Sequence, residues 1–165
     1  MRGRLARSVG MVALLFVVSG CATAPLSPVA GRVISPSAAA AEGVTGEVQL
    51  WGGVIVAVRN LEDSTWIEVV SYPLRRQQPR AGVMTNGRFL LRAEGFLDPL
   101  DYRAGRRLTA RGPVTGVEDG KIGEVGYRFP VLAAEELHLW PDGPTGGEQR
   151  GWGNVRFGIG IGIGL

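Results

Sequence analysis

The sequence predicts a mainly β protein of five or six short strands with one short helix, set behind an N-terminal signal and a tether. Three observations predict it. Runs of β-branched and aromatic residues recur between turn signals. The chain holds 26 glycines and 10 prolines, and no apolar period of 3.6 persists along it. Asn86-Gly87 sits between two extended runs, and both of its positions accept the positive φ of a tight hairpin.

The first element is a leader. Arg2, Arg4 and Arg7 precede an apolar run from Val9 to Val18. That run is shorter than the roughly 20 residues of a membrane-spanning helix. A basic start, a short apolar stretch and small residues at its end form the layout of a removable signal, residues 1–20. Val18-Ser19-Gly20-Cys21 resembles the bacterial lipobox. By that resemblance the chain is cut between Gly20 and Cys21, the thiol takes a diacylglyceryl group and the new amino terminus is acylated. One acyl chain holds a protein only marginally, whereas two anchor it stably. The alternative is an ordinary secretory signal with a chance cysteine. Cys21 is the only cysteine in the chain, so it has no disulfide partner within it. Ala22 stands where the enterobacterial sorting rule places an inner-membrane aspartate, which by resemblance directs the chain to the outer membrane.

Charge adds little beyond targeting. The chain carries 18 basic and 15 acidic residues; Arg2, Arg4 and Arg7 leave with the signal, so the remaining 145 residues are balanced. Wholesale nucleic-acid binding is not implied. That length is enough for one modest domain.

Residues 21–46 read as a lipidated cysteine followed by a flexible tether. Pro25, Pro28 and Pro36 punctuate it, and Ala38 to Ala41 allow a short helix. As a flexible chain it would reach on the order of 25–30 Å, lifting a domain clear of lipid head groups. The domain is expected over residues 47–141. Trp51-Gly52-Gly53 leads into the apolar run Val54 to Val58, the first strand. Asn60 to Ser64 reads as a turn, Thr65 to Leu74 as a second strand ended by Pro73, and Arg75 to Arg80 as a charged loop. After Asn86-Gly87, Phe89, Leu91 and Ala93 alternate with Arg88, Leu90 and Arg92, and period two puts the first set in the core. Asp98 as N-cap and Pro99 behind it predict a short helix stopped by Gly105. Arg107 to Val114, Glu124 to Ala133 and Glu136 to Trp140 complete the strands, with a turn over Gly116 to Gly120. Strands in this order, with a helix between the third and fourth, suggest a small closed five- to six-stranded barrel of the OB type; a β-sandwich is the runner-up.

Residues 142–165 form a glycine-rich apolar tail. Phe157, Ile159, Ile161, Ile163 and Leu165 alternate with glycine. Extended, the Phe157–Leu165 stretch is roughly 30 Å long, but a lone strand cannot satisfy its backbone in lipid. It either packs on the domain or membrane, or pairs copies of the chain into a homo-oligomer.

With these pieces in place the chain resembles the Slp family, the starvation-inducible outer-membrane lipoproteins of Gram-negative bacteria. The resemblance rests on WGG at 51–53, IEVV at 67–70, YPL at 72–74, GRFL at 87–90 and GFLDP at 95–99. It continues through Tyr102, GRRLTARGPVTG at 105–116, GKIGE at 120–124, YRFPV at 127–131 and LW at 139–140. It implies a lipid-anchored envelope protein linked to starvation or stress, and it brings no catalytic residues and no cofactor.

The residues themselves agree. His138 is the only histidine, and it reads as a strand residue rather than a base with an orienting partner. Asp98 and Asp101 are explained by capping. Glu135 and Glu136 point to opposite faces of a strand, and no cysteine–histidine metal cluster is present. Gly116 to Gly126 lacks the lysine pattern of a phosphate loop. Basic charge does concentrate: nine arginines lie between Arg75 and Arg111, against Glu94, Asp98 and Asp101. Arg88, Arg92, Arg107 and Arg111 are the candidate face for an anionic envelope ligand such as lipopolysaccharide, anionic lipid or a glycan. The alternative is a solvated exterior paired with acids elsewhere.

Overall fold

The computed structural model describes residues 24–142. The signal over 1–20, the cleavage and lipidation positions Gly20 and Cys21, and the Gly-Ile tail lie outside the described residues.

The chain forms α1 (Pro36–Glu42), β1 (Val48–Asn60), β2 (Ser64–Ser71), β3 (Leu74–Arg75) and β4 (Gln78–Pro79). It continues with β5 (Arg88–Glu94), β6 (Arg107–Ile122), β7 (Val125–Ala133) and β8 (Glu136–Leu139). Six strands share one sheet. β1 pairs antiparallel with β2, β2 with β5, β6 with β7 and β6 with β1, while β5 and β7 pair in parallel. These five strands make a hydrogen-bonded ring, and β8 joins β6 as the sixth. Alternation along the strands fills the interior. Phe89, Leu91, Ile67, Val69, Leu108 and Leu132 are completely buried, and Trp51 tilts against Phe89 with ring centres 5.3 Å apart.

The closed OB-like barrel predicted from the sequence is corrected here. β5 and β7 meet over only three residue pairs, Leu90–Arg92 with Val131–Ala133, and β8 branches from β6. The ring is hydrogen-bonded without being a closed barrel. Nor does the helix lie between the third and fourth long strands. Asp98 does cap: its carboxylate accepts from Leu100 N and its carbonyl from Tyr102 N. The structure stops at that one turn. Leu97 and Tyr102 pack against the core while Phe96 and Leu100 are exposed, and Gly105 at φ 89 ends the segment before a second turn, too short a stretch to offset the cost of nucleating a helix.

The helix forms instead ahead of β1. Ser35 caps it by accepting from Ala38 N, Pro36 occupies its first turn and Gly43 ends it at φ 66. Ala39 is completely buried and joins the core with Ile34. The segment expected to be a tether is therefore packed. Gln49, itself buried, clamps it by accepting from Ile34 N and donating to Arg32 O, and the Trp51 indole donates to Ile34 O at 2.8 Å.

Two turns also move. β6 runs through the Gly116–Gly120 stretch, and the reversal falls between Ile122 and Val125 around Gly123. Asn86 and Gly87 do not form a two-residue hairpin; both bond Ser71 across the start of the β2–β5 pairing.

Candidate functional site

The tight hairpin is β3–β4, and its turn residues are Arg76 and Gln77, both at positive φ (49 and 64). Neither residue type favours that conformation, so the turn needs support from elsewhere. Gln77 supplies it. Its side-chain amide donates to Leu26 O and its side-chain oxygen accepts from Leu26 N. Its backbone carbonyl accepts from the Thr109 hydroxyl at 2.6 Å, and Thr109 in turn accepts from the Trp140 indole at 2.9 Å. The hairpin is thus held from beneath by β6 and from the side by the amino-terminal segment.

Gln77→Ala is expected to leave both polar groups of the nearly buried Leu26 backbone unpaired, a loss of about 1–3 kcal/mol. Urea unfolding checks the size, and amide exchange at Leu26 should accelerate well beyond that of Phe89.

A second pin lies one residue further on, where Ser27 N donates to the Glu136 carboxylate at 2.8 Å. The Ser27 backbone and hydroxyl hold the Glu136 carboxyl below its ordinary value, with Arg111 assisting. A carboxyl lowered in the folded state supports that state above its unfolded value and loses the effect as pH falls through the lowered one. The Ser27 clamp should hold at neutral pH and open only in acid below the ordinary glutamate range. Amide exchange at Ser27 measured against pH checks this, and Glu136→Gln should flatten the profile.

Pinning the hairpin this way leaves its arginines outside. Arg75, Arg76, Arg80 and Arg107 surround a recess of about 480 Å³, completed by Gln78, Pro79 and Ala81, with no acidic side chain in its wall. Among the described residues these four arginines make no ion pair within 4.0 Å. Guanidinium groups gathered without carboxylates suit phosphate or carboxylate oxygens. Beyond Arg80 the loop carries exposed Val83 and Met84.

The arginines singled out from the sequence divide. Arg107 lines the recess. Arg88 is held by Glu68 at 2.6 Å, and Arg111 by Glu135 at 2.8 Å with Glu136 beside it. Those two are largely spent on partners in the fold. Arg92 is exposed on β5 and does not line the recess. Arg75, Arg76 and Arg80 were not among the candidates, although the loop's three arginines without an apolar anchor were the available signal.

A narrower cleft of about 410 Å³ runs beneath the amino-terminal segment, walled by Val29, Val33, Leu50, Trp51, Tyr72 and Leu74 among others. His138 packs edge-on against Trp140, ring centres 4.4 Å apart. Among the described residues no group of three or more His, Cys, Asp or Glu side chains could hold a metal ion.

The comparison that decides identity is the family model for the outer membrane lipoprotein Slp family, which matches residues 18–152. The chain belongs to the Slp family. It is an outer-membrane lipoprotein of the Slp type, and that family description is of an envelope lipoprotein rather than a catalyst. Similar proteins include the uncharacterized lipoprotein YeaY of Escherichia coli, 35% identical over 130 residues, covering 75% of this chain and 67% of that one. An uncharacterized protein of Haemophilus influenzae is 31% identical over 173 residues, covering 95% and 91%. The outer membrane protein Slp of E. coli is 31% identical over 96 residues, covering 58% of this chain and half of that one. No solved structure matches the Slp-family chain significantly.

Proposed function

We propose that this Slp-family chain is cut between Gly20 and Cys21, carries diacylglyceryl and N-acyl groups on Cys21, and serves the envelope under starvation or stress without catalysis. The observation that carries this is the lone cysteine at 21 behind Val18-Ser19-Gly20, in a chain whose family match begins at residue 18. In this reading residues 1–20 are removed, Cys21 begins the mature chain, the β domain occupies 47–141, and the 142–165 tail offers a route for copies to associate. A second reading, that the domain also holds an anionic envelope ligand, is favoured by the carboxylate-free arginine recess. The test is membrane fractionation with and without an inhibitor of lipoprotein signal peptidase. The protein should sediment with outer membrane, and the inhibitor should accumulate a precursor longer by the signal. A soluble protein, or one processed normally under the inhibitor, would contradict the proposal.

A further inference from the structure

The amino-terminal segment does more than connect. Leu26 is bonded to Gln77 at the apex of the β3–β4 hairpin, and Ser27 is bonded to Glu136. Leu26 is only five residue steps from Cys21. Fully extended, those five steps span at most about 18 Å. A lipid on Cys21 therefore cannot leave the domain floating at the end of a long tether. The end of the domain that carries the arginine recess must stay within that distance of the membrane.

The chemistry of that end fits the same position. Arg75, Arg76, Arg80 and Arg107 bring four cations and no carboxylate to the recess. The neighbouring acids Glu135 and Glu136 are engaged by Arg111. The loop that follows Arg80 exposes Met84 at 88% and Val83 at 42%. Cations beside exposed apolar side chains match an interface in which head-group phosphates lie just outside acyl chains.

We infer that the β3–β4 hairpin and the Val83–Met84 loop dock onto the anionic phosphate head groups of the membrane that holds Cys21. The docking rests on the Cys21 lipidation proposed above. It turns the anchor from a leash into a two-point attachment, with the recess facing the lipid.

The test uses the mature lipidated protein in vesicles of phosphatidylethanolamine and phosphatidylglycerol. Because the single natural cysteine is taken up by lipid, Met84→Cys provides a unique site for an environment-sensitive fluorophore. Glu62→Cys, in the β1–β2 loop at the far end of β2, provides the control. The label at 84 should shift to the blue and be quenched by lipid-borne quenchers, while the label at 62 stays in water. Arg75→Glu with Arg80→Glu should return the label at 84 to water; Arg76 is left unchanged because its backbone is at positive φ. Each basic residue near an anionic leaflet raises partitioning about fivefold, so the pair should lower docking by an order of magnitude or more. Raising salt on the unmutated arginines gives the same answer without relying on the variant's folding.

Labels at 84 and 62 equally exposed on pelleted vesicles would overturn docking and leave the anchor standing. A protein that does not pellet with vesicles at all would overturn both. A shift at 84 produced by inorganic phosphate without vesicles would reassign the recess to a soluble anion and overturn membrane docking.

Discussion

Cys21→Ser should abolish acylation and the mature form together. A thiol is the better nucleophile for lipid transfer because a useful fraction ionises near neutral pH, and serine offers no comparable alkoxide. Without the diacylglyceryl group, the resemblance to the lipobox predicts that cleavage after Gly20 also stops. Palmitate labelling should fall to background, and only the longer precursor should remain on a denaturing gel. A single acyl chain already gives partitioning on the order of 10⁴ M⁻¹, so losing all of them is the largest change any one residue can make to location. If the Cys21→Ser chain were cut and retained in the outer membrane as before, residue 21 would not be the anchor.

Gly112→Ala should be the most damaging single change to the fold. A Cβ at Gly112 would sit 1.7 Å from Ala133 O, and one at Gly53 would sit 1.9 Å from Val70 O. Both obstacles are backbone rather than the movable end of a side chain. Gly112 is paired to Gln49 on β1, while Gly53 is flanked by Ser71 on β2 and Leu108 on β6. Relief in either case requires strands to part. Overpacking costs about 1–3 kcal/mol and sometimes more, and a backbone obstacle puts this case at or above the upper figure. Against a total of about 5–15 kcal/mol for a domain, the urea midpoint followed by tryptophan fluorescence should fall sharply. Gly116→Ala is the control, because its Cβ would meet nothing within 4 Å; its effect should stay within about 0.5–1 kcal/mol. Equal effects at 112 and 116 would mean that the strands are not packed this closely.

Much of the β architecture was legible because it is written locally. The alternation that put Phe89, Leu91 and Ala93 inside and Arg92 outside holds. What escaped depends on residues distant in sequence. Arg88 and Arg111 looked available because Glu68 lies 20 positions and Glu135 24 positions away. The Arg76–Gln77 turn carries none of the usual turn residues and exists because Gln77 reaches Leu26, 51 positions earlier. The supposed tether looked flexible by composition, yet Gln49 and Trp51 supply the hydrogen bonds that bring it down. Asp98-Pro99 had a sound cap, but only Tyr102 behind it packs on the core while Leu100 is exposed. Local chemistry starts an element, and tertiary packing decides whether it continues. The same division explains the recess: its arginines were visible as charge, while their freedom from acids was visible only in three dimensions.

The measurement closest to the centre of this account is intact mass spectrometry of the mature protein purified from outer membrane. The account predicts a chain beginning at Cys21, with a diacylglyceryl group on its sulfur and a third acyl group on its α-amine. A chain beginning at any other residue, or an unmodified Cys21, would contradict it.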